Sequence, residues 1–225
     1  TYIAKTDHTK TAYQTYLYSN SNQMPLEYRK LGEEISKTIL PLDSKGEVNI
    51  GKGLIVGITE GMSNTKIEID ELINTYLKNS QDINSKFILR NFAIPECDLS
   101  NWLEKVSDTV DPQVQIAILK YTNNRPMQQD GKPTIISPPF ENKGSKVFPH
   151  HAQVTKKQLY QRIMQLKKQY PNLKMVYLTS RSFGGWSNIL TRGDYREPIA
   201  FEEGFAVKWL IEEKIQNPDN ELPWI

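Results

Sequence analysis

Ser63 is the residue of this chain whose type and place most clearly suggest chemistry. It follows the apolar, β-branched run Leu54-Ile55-Val56-Gly57-Ile58 and precedes an amphipathic pattern, so it falls on a turn from a strand into a helix. A hydroxyl there projects at a sheet edge, where the free N–H groups of a helix start can hold an oxyanion. The same position also suits a plainer role, in which Ser63 or Asn64 caps a helix beginning near Thr65. A serine nucleophile needs a proton acceptor, worth about two to four powers of ten in rate. His151 is the leading candidate and His150 the weaker one, although a histidine beside a helix start also serves as a surface or capping group. Arg181 comes directly after the fourth strand. Its planar fork either binds a carboxylate, sulfate or phosphate of a substrate or pairs with Glu202 or Glu203 to pin the last helix. Asn123 and Asn124 follow the third strand and are candidate oxyanion donors.

The elements that must position these residues are legible as periodicities. Leu26 to Ile39 carries Tyr28, Leu31 and Ile35 at helical spacing, and Pro41 ends the segment. Ile69, Leu72, Ile73, Tyr76 and Leu77 mark an amphipathic helix after the first strand. Strands are expected at Lys86 to Asn91, Val114 to Leu119 and Lys174 to Leu178. Trp102, Leu103 and Val106 give a short helix that Asp98 or Ser100 can cap. Tyr121 to Phe148 has no period and several prolines, and reads as a functional or domain-covering loop. Leu159, Ile163, Leu166 and Tyr170 mark a helix stopping before Pro171, and Phe201, Phe205, Trp209 and Leu210 the stripe of a last one. Lys156, Lys157, Arg162, Lys167 and Lys168 read as a solvated helix face. Such alternation implies right-handed βαβ units and a parallel sheet between helices. Residues 1–52 are expected to form an arm and short helix packing on an α/β domain of residues 53–217, with residues 218–225 as a tail. In an open parallel sheet the ligand lies at the carboxyl ends of the strands, where Ser63, Asn64, Asn123, Asn124, Ser180 and Arg181 fall.

Composition bounds the function. The 225 residues hold 28 Lys+Arg against 26 Asp+Glu, without the basic surplus that phosphate-backbone binding shows, so nucleic acid is not an expected partner. One cysteine, Cys97, excludes an internal disulfide and a multi-cysteine zinc site, and three histidines leave little for a metal centre. With nothing basic beside it, Cys97 reads as a buried, inert thiol. No apolar run is long enough to cross a bilayer. No metal and no cofactor is expected. A lone cysteine suits the cytoplasm and equally a secreted protein.

Gly61-Met62-Ser63-Asn64-Thr65 after an apolar strand resembles the first block of SGNH (GDSL-type) hydrolases, with Met in place of the usual Asp. Further strings resemble a bacterial branch of exported SGNH-like proteins. They are Ile39-Leu40-Pro41-Leu42-Asp43, Val114-Gln115-Ile116, Phe148-Pro149-His150-His151-Ala152, Tyr170-Pro171-Asn172-Leu173-Lys174 and Tyr177-Leu178-Thr179-Ser180-Arg181. The tail from Glu202 through Gly204-Phe205-Ala206-Val207-Lys208-Trp209 to Glu212 matches best, and coverage runs from about Leu26 to Ile215. The resemblance implies a flavodoxin-like, three-layer α/β/α fold with a mostly parallel sheet, and a serine that attacks an ester carbonyl.

The chain also departs from that pattern. The segment Asn91-Phe92-Ala93-Ile94-Pro95-Glu96-Cys97 lacks the second-block glycine, and Arg196-Glu197-Pro198-Ile199 stands where an Asp-x-x-His pair would fall. Two functions are therefore expected as alternatives. The first is a serine-dependent esterase or deacetylase acting outside the cytoplasm, in the periplasm or beyond, on a small-molecule or carbohydrate ester. Ser63 is then nucleophile, His151 base, and Asn64, Asn123, Asn124, Arg181 and Glu202 are substrate-binding. The alternative is a non-catalytic ligand- or glycan-binding protein that kept the scaffold and lost the dyad.

Overall fold

The structure, a computed structural model, describes residues 11–95, 97–105, 109–121, 148–180 and 197–225. The first apolar run becomes β1 (Ile55–Gly61), buried along its whole length because a neighbour hydrogen-bonds on either side. It continues through Glu60 and Gly61, beyond the apolar run that ends at Ile58. With β2 (Phe87–Asn91), β3 (Val114–Lys120) and β4 (Met175–Leu178) it forms a four-stranded, all-parallel sheet of order β2-β1-β3-β4. Gly61 pairs with Lys120 at the carboxyl end. A Cβ at Gly61 would stand 2.5 Å from the Lys120 carbonyl oxygen and would collide with Thr65, so no larger residue fits at the end of β1.

Helices flank the sheet. α2 (Ser63–Glu71) packs on β1 and β2 and passes into a π-helical segment, Leu72–Leu77. α3 (Leu99–Glu104) is capped by Asp98, whose carboxylate accepts the Asn101 N–H at 3.1 Å; Ser100 instead donates its hydroxyl to that same carboxylate. α4 (His150–Gln169) and α5 (Ile199–Gln216) pack together, and Leu159, Ile163 and Leu166 of α4 with Ala206 and Leu210 of α5 close over Val56, Ile58 and Val176 of the sheet. The preceding arm contributes Tyr18 to this core. None of the helices among the described residues is long and apolar enough to cross a membrane.

Met175 and Val176 are neighbours in β4 yet join different apolar clusters, as the alternation of a strand requires when both its faces are covered. The Met175 cluster contains Tyr28 of α1 (Leu26–Lys37) and Trp224 of the tail. Here the expected stripe is corrected. Leu31 is 39% exposed, and the buried line runs through Tyr28 and Gly32. The reason is Trp224, which stacks on Tyr28 at 5.4 Å and lies so close to Gly32 that a Cβ there would stand 2.6 Å from its ring. The tail then runs beside β4: Val176 donates to the Trp224 carbonyl at 2.8 Å, and Trp224 donates to Lys174 at 3.1 Å.

Burial pushes the phenols of Tyr28 and Tyr170 up to about 12, the Tyr28 hydroxyl donating to the Ile225 carbonyl. The fold therefore favours their neutral forms. This contribution is complete below the ordinary tyrosine pKa of about 10 and is lost as pH rises from there through about 12. Urea denaturation at pH 9 and pH 11 should show a lower midpoint at the higher pH, and Tyr28→Phe should flatten that difference.

Candidate functional site

The strand order reverses between β1 and β3, because the chain leaves β1 toward β2 on one side and then crosses back to β3 on the other. Ligands of such sheets lie outside the carboxyl ends at that switch point. Here it is bounded by Gly61-Met62-Ser63, where β1 passes into α2, and by Lys120-Tyr121 at the end of β3.

Ser63 is the first residue of α2 and is exposed. The N-cap position belongs to Met62, whose side chain makes no capping bond, so the capping role does not apply to Ser63. Among the described residues nothing hydrogen-bonds to the Ser63 hydroxyl. The first intrahelical bond runs from the Lys66 N–H to Met62, and the Thr65 N–H is taken by the Asn64 side-chain oxygen at 2.9 Å. The Ser63 N–H has no intrahelical acceptor at this position, and no acidic residue sits in the first turn to offset the positive end of the helix.

A polar frame holds α2 in this place. Lys120, at the end of β3, donates to both Glu68 carboxylate oxygens at 2.8 and 2.7 Å. The buried Thr65 hydroxyl donates to the Lys120 carbonyl at 3.3 Å. Asn91, at the end of β2, accepts the Thr59 hydroxyl at 2.8 Å and donates to Lys66 O and Asp70 at 3.0 and 2.8 Å. This asparagine opens the segment in which the resemblance expects a glycine; it ties α2 to the sheet.

Beneath the site lies a cluster that sequence reasoning missed. Glu60 and Arg162 are both buried and form a two-pronged ion pair, 2.9 and 2.7 Å long. Tyr121 donates its hydroxyl to the same carboxylate, and Trp102 receives the guanidinium over its ring at 5.2 Å. Arg162 is thus not on a solvated face. Burial opposes its charge, but Glu60 more than offsets that, raising its pKa, while burial and the Glu60 charge hold Tyr121 neutral. The signal available was Glu60 itself, an acid directly behind a strongly apolar run and inside a fully buried strand, which requires a buried cation. Removing one member strands a charge. Arg162→Met should therefore lower stability by about 3–5 kcal/mol in urea denaturation, and Glu60→Leu added to it should restore most of the loss.

His151 and Glu202 are brought together where α4 and α5 begin. Their Nε2 and Oε2 atoms stand 3.7 Å apart, in ion-pair range but beyond a hydrogen bond, with 2% and 0% of each side chain exposed. The His151 ring meets Phe148 edge-on at 6.0 Å. No hydrogen bond joins Ser63 to His151. Eleven residues of α4, about 16 Å of helix, separate His151 from Arg162, which reaches β1. Asn123, Asn124 and Arg181 lie outside the described residues, as does most of the long loop. Cys97 is buried, and burial raises its thiol pKa. Among the described residues no group of three His, Cys, Asp or Glu side chains could hold a metal.

The chain matches no protein family, no curated protein and no solved structure. Its class is that of its own coordinates: an α/β protein whose four-stranded, all-parallel sheet is flanked by helices.

Proposed function

We propose that this protein is a serine-dependent carboxylic-ester hydrolase on a flavodoxin-like, three-layer scaffold of SGNH type. One observation carries the reading: Ser63 is exposed at the first position of α2, on the switch point, with its hydroxyl free of any capping duty. In this reading the Ser63 oxygen attacks the acyl carbon of a small-molecule or carbohydrate ester. The oxyanion is received by the N–H groups of the α2 start, assisted by Asn64 and by Asn123 or Asn124. His151, oriented by Glu202, takes the hydroxyl proton and returns it to the departing alcohol. Water then releases the acyl group. Arg181 orients the substrate.

A second reading, a ligand-binding protein without catalysis, is favoured by the burial of His151 and by the lack of a hydrogen bond between it and Ser63. A fluorophosphonate probe and 4-nitrophenyl acetate separate the two. The hydrolase reading expects labelling and turnover that disappear in Ser63→Ala, and a kcat about 100-fold lower in His151→Ala at little change in KM. Labelling that persists in Ser63→Ala, or no turnover from the unaltered protein, leaves the binding reading.

A further inference from the structure

The turn that follows α5 wraps around a buried cation. Lys214 lies in the last turn of that helix and is 4% exposed. Its ammonium donates to the carbonyls of Pro218 at 2.8 Å, Asn220 at 3.2 Å and Leu222 at 2.8 Å, and to the Asn220 side-chain oxygen at 3.0 Å. A buried charge needs compensation, which Glu60 supplies to Arg162 as a carboxylate. Among the described residues no carboxylate pairs with Lys214. Burial and the charge of Lys167 work against its ammonium, with Asp219 acting the other way. The compensation at contact distance is therefore a cage of neutral oxygens.

An ammonium has three N–H groups, yet four oxygens stand within reach of this one. They surround the charge rather than accept one proton each, much as carbonyl-lined sites replace the hydration shell of a monovalent cation. The Glu221 carbonyl, between the cage oxygens of Asn220 and Leu222, is taken by Lys167 of α4 at 2.5 Å. Beyond the cage, Leu222 and Ile225 join the apolar cluster of α4 and α5, and Trp224 joins that of Tyr28 and Met175. The tail thus crosses the β4 border with side chains on both faces of the sheet, Trp224 bridging in parallel to Met175. A slip of one residue would exchange those faces. Leu222, whose carbonyl belongs to the cage, is the fixed point from which the register is counted.

We infer that residues 218–222 form a monovalent-cation site of potassium or ammonium type, filled from within by Lys214, and that this tethered ion sets the register of the tail on β4. The cage holds the turn, the turn delivers Leu222 to the core, and Trp224 then reaches its place over Gly32.

The inference does not rest on the hydrolase reading, and Lys214→Ala tests it by removing the tethered ion while leaving the four oxygens. In choline chloride, whose cation is too bulky for the cage, amide exchange in peptides containing Val176 and Trp224 should be about tenfold faster than in the unaltered protein, read by mass spectrometry. Potassium or ammonium chloride at the same ionic strength should restore protection saturably, because an ion bound only by the folded state stabilises it. If Lys214→Ala is unfolded in choline chloride, its refolding on addition of potassium or ammonium gives the same reading. Lys214→Met, which fills the space with an apolar chain, should show no such recovery. In the unaltered protein, ¹⁵N-lysine labelling should reveal a slowly exchanging ammonium resonance that Lys214→Arg lacks. Unchanged protection in Lys214→Ala, no response to either cation, equal recovery in Lys214→Met, or the want of that resonance overturns the inference.

Discussion

The buried ion pair between Glu60 and Arg162 is the constraint on which the carboxyl edge of the sheet depends. A carboxylate near the end of the central strand cannot be left alone in an apolar interior, where an unpaired charge costs several kcal/mol or more. The guanidinium that answers it comes from the middle of α4, about a hundred residues later in the chain. That single demand fixes how far along the sheet α4 lies, and so where its first turn, with Phe148 and His151, stands in relation to β1. Tyr121 and Trp102 complete the shell, so that β3, α3 and α4 all converge on the residue three positions before Ser63.

Above this pair the structure is polar and still fully engaged. Thr59, Thr65, Asn91, Lys120 and Glu68 hold the start of α2 across the ends of three strands. Each of these side chains spends its hydrogen-bonding capacity on neighbouring elements. Ser63 does not, although it sits among them. The contrast between a saturated frame and one uncommitted hydroxyl is a physical distinction, because exposed position alone would describe many serines of the surface.

Much of this architecture could be read from residue patterns. The β-branched runs at Leu54, Val114 and Lys174 gave their strands, and the 3.6-residue stripe of α4 gave the helix that packs on them. Three features escaped for reasons that are spatial. The buried face of α1 shifted onto Gly32 because Trp224, nearly two hundred residues away, needed the room. Arg162 lay within a lysine-rich helix and looked like its neighbours, since nothing local reveals which cation a distant acid will claim. Phe201 has the spacing of a core residue, yet it is exposed and lines a cavity at the start of α5. Of the site itself, sequence indicated Ser63 after the first strand and His151 at the start of α4, but not that His151 would meet Glu202 of α5. It did not indicate the 3.7 Å separation or the burial of both groups.

The run of the final residues along β4 has an effect on how the sheet meets its surroundings. With Trp224 exchanging backbone bonds with Lys174 and Val176, that border presents no row of vacant amides. The opposite border, β2, has no such cover among the described residues, and Ile88 and Phe92 stand exposed there. Among the described residues, then, room for a further strand lies on the β2 side alone, the border away from the C-terminal residues.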